Sequence, residues 1–206
     1  MIHDSSLHRR RSVRLKGYDY GQAGAYFVTV CTHQRNCTLG RIVGSEVLLS
    51  KAGDIVNQVW LNLATQNNKL RLDAFVVMPN HVHGVVFIKD GPWLPPKRRG
   101  EAFGNRADLL SGARRPNASP LHQPTPSHPI GTKQGSLGAI IQNFKSVSAR
   151  KVNQATGMSA GPLWQRNYYE HIVRNDEDLY NIRQYIADNP AKWQEDTLNP
   201  LRRPNQ

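Results

Sequence analysis

The sequence predicts an α+β fold of ferredoxin-like type: an antiparallel sheet with helices mainly on one face, interrupted by a long disordered insertion. Three observations carry this. Runs rich in β-branched and aromatic residues occur at 25–32, 70–77 and 81–88. Two stretches, after Ser50 and after Ser136, repeat apolar residues at helical spacing. The two strongest strands are separated only by a break at Met78-Pro79-Asn80, where Pro79 cannot donate to a ladder, so they form an antiparallel hairpin. The resulting order is strand, helix, hairpin, helix, strand, helix.

Each element has a local reason. Ala25–Thr32 (AYFVTVCT) reads as a central strand, and a shorter strand around Val43–Leu49 closes a hairpin with Gly40. Ser50 is an N-cap for a helix in which Ile55, Val56, Val59, Trp60 and Leu63 share a face, with Asp54 near its positive end. Leu70–Val77 and His81–Ile88 are the hairpin strands. From Ser136, Leu137, Ile140, Ile141, Phe144 and Val147 line one side of a helix whose other side carries Lys145, Arg150 and Lys151. Leu163–Val173 reads as extended. Asn175 or Asp176 caps a last helix, Glu177 to about Asp188, which Pro190 follows.

The domain reading is one folded unit over 18–88 and 134–195. A basic arm (1–17) precedes it, an insertion (89–133) interrupts it, and a tail (196–206) follows. The insertion holds most of the prolines among Gly, Ser and Arg and keeps no apolar periodicity.

Composition narrows the function. With 206 residues, 38% of them hydrophobic, the chain can bury one core. Lys and Arg outnumber Asp and Glu by 27 to 15, a formal charge of +12 that favours a polyanionic partner. The two cysteines, Cys31 and Cys37, form no CxxC, which argues against a zinc ribbon or a disulfide framework. No run approaches the ~18 apolar residues of a membrane span, so a cytoplasmic, nucleoid-associated protein without a membrane partner is expected.

The sharpest chemical feature is His81-Val82-His83. Residues i and i+2 of a strand share a face, so both imidazoles project together as a platform for a divalent ion. By itself HxH is weak evidence, and two surface histidines on a sheet edge are the commoner reading. On the last helix Tyr185 and Asn189 are four residues apart and therefore neighbours. Asn189 offers an amide oxygen to an ion and Tyr185 a phenol beside it. The bland alternatives are a packing tyrosine and a C-cap asparagine.

The segments YFVTVCTHQR, LDAFVVMPNHVHGVVFI, LWQRNYYEHIVRNDEDL and IRQYIADNPAKW, in that order, resemble the REP-associated tyrosine transposases. These belong to the single-tyrosine HUH transposases. The resemblance covers about Leu15–Ile88 and Ser136–Trp193, and MPNHVHG together with the YIxxNP segment is its most specific part. It implies a nuclease domain that cuts and rejoins single-stranded DNA. His81 and His83 would be the metal-binding pair, Asn189 the third ligand and Tyr185 the nucleophile, with Mg2+ or Mn2+ as the ion. Attack would leave a 5′-phosphotyrosine and a free 3′-hydroxyl, and the targets would be hairpin-forming repeats. The enzyme would be a monomer or a homodimer. The insertion departs from the compact members of the family.

Further DNA contacts are expected from the arm arginines Arg9, Arg10, Arg11 and Arg14, and from Arg166, Arg174 and Arg183, although solvated surface is the default for any single arginine. Tyr169 is expected to stack on a base, and Trp164 either to stack on one or to pack in the core. Two other functions remain open: a regulator that binds DNA hairpins without cutting, and a hydrolase using HxH with water. Gly84-Val85-Val86 supplies none of the further ligands such hydrolases place after HxH.

Overall fold

The computed structural model describes residues 18–89, 133–157 and 161–202. The basic arm and all of the insertion but its two end residues lie outside these. Within them the chain runs β1 (Gly24–Cys31), β2 (Gly40–Val43), β3 (Glu46–Leu49), α1 (Lys51–Leu61), β4 (Leu70–Met78), β5 (His81–Ile88), α2 (Leu137–Thr156), β6 (Tyr169–Val173) and α3 (Asp176–Asp188). Two 3-10 turns, His33–Arg35 and Trp193–Glu195, punctuate the loops.

The main sheet has the strand order β4-β5-β1-β6, and every neighbouring pair is antiparallel. With α1 on the connection from β1 to β4 and α2 on that from β5 to β6, this is the expected ferredoxin-like arrangement. The residues after β1 differ in detail from the sequence reading. Instead of one strand over 43–49, β2 and β3 form a separate two-stranded ribbon that turns at Gly44, whose φ of 63° suits glycine. Of the extended stretch 163–173, only 169–173 joins the sheet. Upstream of it, Trp164 makes a single bridge to Thr32 and turns inward.

The helices begin where the sequence places caps. Ser50 Oγ accepts from Gly53 N at 3.1 Å, Ser136 Oγ from Ala139 N at 3.3 Å, and Asn175 Oδ1 from Asp178 N at 2.8 Å. Asp176, Glu177 and Asp178 then lie in the first turn of α3, where carboxylates complement the helix dipole.

Strand alternation sorts the side chains into two layers. Tyr26, Val28 and Val30 of β1 and Val82 and Val86 of β5 meet α1 and α2 in the principal core, around Trp60, Phe144 and Trp164. Trp60 stacks on Phe75 at 4.5 Å and lies over Gly84, where an added Cβ would come within 2.3 Å of the indole. The glycine that follows the histidine pair therefore makes room for a core tryptophan. On the opposite face, α3 covers a smaller cluster of Phe27, Val85 and Ile186. Among the described residues no helix is long and apolar enough to cross a membrane.

Candidate metal and nucleophile site

The same alternation that buries Val82 turns His81 and His83 toward the face that α3 covers. Both are buried, and their Nε2 atoms are 2.9 Å apart. Each ring has an oxygen partner behind it. His83 Nδ1 lies 2.8 Å from Thr29 Oγ1 on the neighbouring β1, and His81 donates from Nδ1 to Asn80 Oδ1 at 2.8 Å. Burial pushes the His83 pKa down to about 3. Burial, reinforced by His83 and Arg35, pushes that of His81 to about 2. Both rings are thus neutral at physiological pH, the form that ligates metals.

A third donor comes from beyond α3. Asp196, within the segment read as a tail, places Oδ2 3.6 Å from His81 Nε2. One donor atom from each of His81, His83 and Asp196 lies within 4.8 Å of the others. Asp196 Oδ1 accepts from Leu198 N at 2.7 Å, but Oδ2 is buried without a hydrogen-bond partner. Burial raises the Asp196 pKa above its ordinary value. A neutral imidazole lone pair and an orphaned carboxylate oxygen facing each other repel unless something positive stands between them. Two nitrogens and a carboxylate suit a divalent cation, so the residues present fit the ion that the family resemblance implies.

Tyr185 stands beside this cluster. Its hydroxyl is 3.4 Å from His83 Nε2, its ring meets His83 edge-on at 5.2 Å, and the side chain is about half exposed. Asn189, one turn further on, is buried at the C-cap of α3, where its Nδ2 donates to Tyr185 O at 3.2 Å. A cavity of about 550 Å³ opens in front of the tyrosine, lined by Phe27, Thr29, His83, Tyr168, Tyr169, Tyr185 and the 196–198 segment.

The remaining sequence candidates separate. Tyr169 is exposed on the cavity wall, edge-on to Phe27 at 6.3 Å. Arg166 and Arg174 are exposed. Arg183 is committed elsewhere: its Nε and an Nη grip the two carboxylate oxygens of Asp73 at 2.6 and 2.8 Å, tying α3 to the bulged part of β4. Trp164 takes the core alternative. It is 6% exposed and donates from Nε1 to Ser148 Oγ at 2.9 Å, so no base can stack on it. Arg9, Arg10, Arg11 and Arg14 lie outside the described residues. The sequence reading missed Asp196 because nothing local marks it. A carboxylate three residues after a tryptophan is an ordinary surface pattern.

Comparison with known proteins adds kinship to this geometry. No family model matches the chain. An uncharacterized protein of Haemophilus influenzae is 34% identical over 199 residues, spanning 95% of this chain and 96% of its own. A second Haemophilus protein, described as "Putative REP-associated tyrosine transposase", is 50% identical over 30 residues, 15% of this chain and 17% of its own. The chain belongs to the family of the first, and it is similar to the second over that 30-residue segment. A solved REP-associated tyrosine transposase bound to a REP hairpin overlaps 87% of this chain and 73% of its own, at 16% identity and a TM-score of 0.49. That overlap adds nothing to the sheet order already described.

Proposed function

We propose that this chain is a relative of the REP-associated tyrosine transposases and acts as a metal-dependent single-strand DNA endonuclease and strand-transferase on hairpin-forming repeat DNA. The observation that carries the reading is the Tyr185 hydroxyl, 3.4 Å from His83 Nε2 and lining a cavity of about 550 Å³.

His81, His83 and Asp196 would hold a divalent ion, Mg2+ or Mn2+, with Asn189 as a further oxygen donor from α3. When bound, the ion supplies charge stabilisation to the scissile phosphate. A free phenol, with a pKa near 10, is a weak nucleophile at neutral pH, so its position against a polarised phosphate matters more than its basicity. The Tyr185 oxygen attacks phosphorus and loses its proton to solvent. The bond from phosphorus to the 3′-oxygen breaks, and that oxygen leaves as a 3′-hydroxyl on taking up a proton. The product is a 5′-phosphotyrosine. Because this linkage conserves the phosphodiester's energy, attack by a 3′-hydroxyl rejoins DNA without an external energy source.

Tyr169, exposed on the cavity wall, offers its ring to a base beside the cut, and Arg166 and Arg174 offer charge to its backbone. The arm arginines are proposed to hold the DNA hairpin.

The test is a labelled single-stranded oligonucleotide carrying a hairpin and its flank, incubated with Mg2+ or Mn2+. Wild-type protein should form a covalent adduct that maps to Tyr185 by mass spectrometry, and Tyr185→Phe should form none while binding DNA as well as before. An adduct on Tyr168, Tyr169 or Tyr180 would refute the nucleophile. Cleavage without any adduct would point to water, and binding without cleavage to a regulator.

A further inference from the structure

One side chain decides which nitrogen of His81 faces the donor cluster. Asn80 lies in the turn between β4 and β5 and is completely buried. Its Nδ2 gives one hydrogen to Arg35 O at 3.0 Å and the other to Leu198 O at 2.7 Å. Both partners are main-chain carbonyls, which only accept, so the amide cannot be turned over. Oδ1 is therefore the atom that meets His81 Nδ1 at 2.8 Å. An amide oxygen also only accepts, so the hydrogen sits on Nδ1 and the lone pair on Nε2.

We infer that Asn80 is a positioning residue with two tasks. It holds His81 in the Nδ1–H form, so that Nε2 presents a lone pair at the point shared with His83 Nε2 and Asp196 Oδ2. Through Leu198 O it also anchors the C-terminal segment that brings Asp196 to that point. Asn80 thereby couples the two halves of the donor set across 118 positions of sequence. A histidine side chain in water favours hydrogen on Nε2, so without Asn80 the His81 lone pair would be divided between its nitrogens.

Thr29, behind His83, acts differently. A hydroxyl can donate or accept, so His83 is free to change tautomer. With His81 Nε2 holding a lone pair, the 2.9 Å contact between the rings requires a hydrogen on His83 Nε2, and Thr29 then donates to His83 Nδ1. A bound cation would need the His83 Nε2 lone pair, and His83 could then carry its hydrogen on Nδ1 with Thr29 Oγ1 accepting it. One ring is fixed and its partner is adaptable.

The inference rests on the proposed metal site, but its first test does not need activity. Long-range proton–nitrogen NMR on the full chain with 15N-labelled histidine, free of metal, should show His81 with hydrogen on Nδ1. Asn80→Ala should shift His81 toward the Nε2–H form and weaken Mn2+ binding, followed by electron paramagnetic resonance, ~10–100-fold. Should the alanine variant fail to fold, Asn80→Asp keeps an acceptor for His81 and loses both donors. It should retain the Nδ1–H signal and still bind Mn2+ more weakly, through the loosened Asp196 segment. Hydrogen on Nε2 of His81 in the wild type overturns the inference, as does unchanged Mn2+ affinity in either variant. A wild type with the expected tautomer but no DNA adduct would instead refute the proposed function.

Discussion

Burying two neutral histidines has a consequence for acid stability that can be worked out. The unfolded chain protonates each ring near pH 6.5, whereas the folded metal-free protein does so only near pH 2 for His81 and 3 for His83. A depressed histidine contributes stability that is fully present above pH 6.5 and is lost as pH falls toward the folded pKa. At ~1.36 kcal/mol per pH unit and ring, lowering the pH from 7 to 5 removes about 2 kcal/mol for each, about 4 kcal/mol together. Asp196, whose pKa burial raises, works in the opposite sense, so this is an upper figure. Against a typical total of ~5–15 kcal/mol the loss is large. The assay is urea unfolding of metal-free protein at pH 7, 6 and 5, beside a His81→Gln, His83→Gln double variant that cannot titrate there. Asp178 and Asp73, whose carboxyls are held below the usual range by His171 and Arg183 respectively, lose stability only in stronger acid, outside this window. Equal pH slopes for wild type and double variant would refute the reasoning.

Other perturbations have equally definite outcomes. Gly84→Ala drives a methyl into the Trp60 indole and should cost ~1–3 kcal/mol in denaturant unfolding; a neutral result would mean the indole moves freely. Asp196→Asn keeps the shape but removes the charge and should weaken Mn2+ binding at least ~10-fold by calorimetry, whereas unchanged affinity would exclude the carboxylate from the donor set. Arg183→Ala frees Asp73 and should cost no more than ~1 kcal/mol of stability, since the arginine is part-exposed. Its larger effect should be a slower rate of adduct formation with unchanged DNA affinity. A loss of affinity with an unchanged rate would return Arg183 to the DNA-contact class.

Much of this molecule follows from local chemistry, and that part was legible in the sequence. Runs of β-branched and aromatic residues in β1 and β5, serine and asparagine caps, and the Pro79-Asn80 break mark the elements, because each acts within a few residues of itself. The pairing of His81 with His83 on one face follows from the two-residue repeat of any strand, and that of Tyr185 with Asn189 from helical spacing. What the sequence could not supply are contacts between residues far apart in the chain. Asp196 stands beside the imidazoles in a segment that Asn80 holds through Leu198 O and Arg35 through Thr197 O, and Arg183 pairs with Asp73 where β4 bulges. Trp164 packs in the core against Phe144, where Ser148 of α2 accepts its indole hydrogen. No pattern along the chain encodes such pairs. Each depends on the angle at which two finished elements pack, and that angle is decided by the whole core at once.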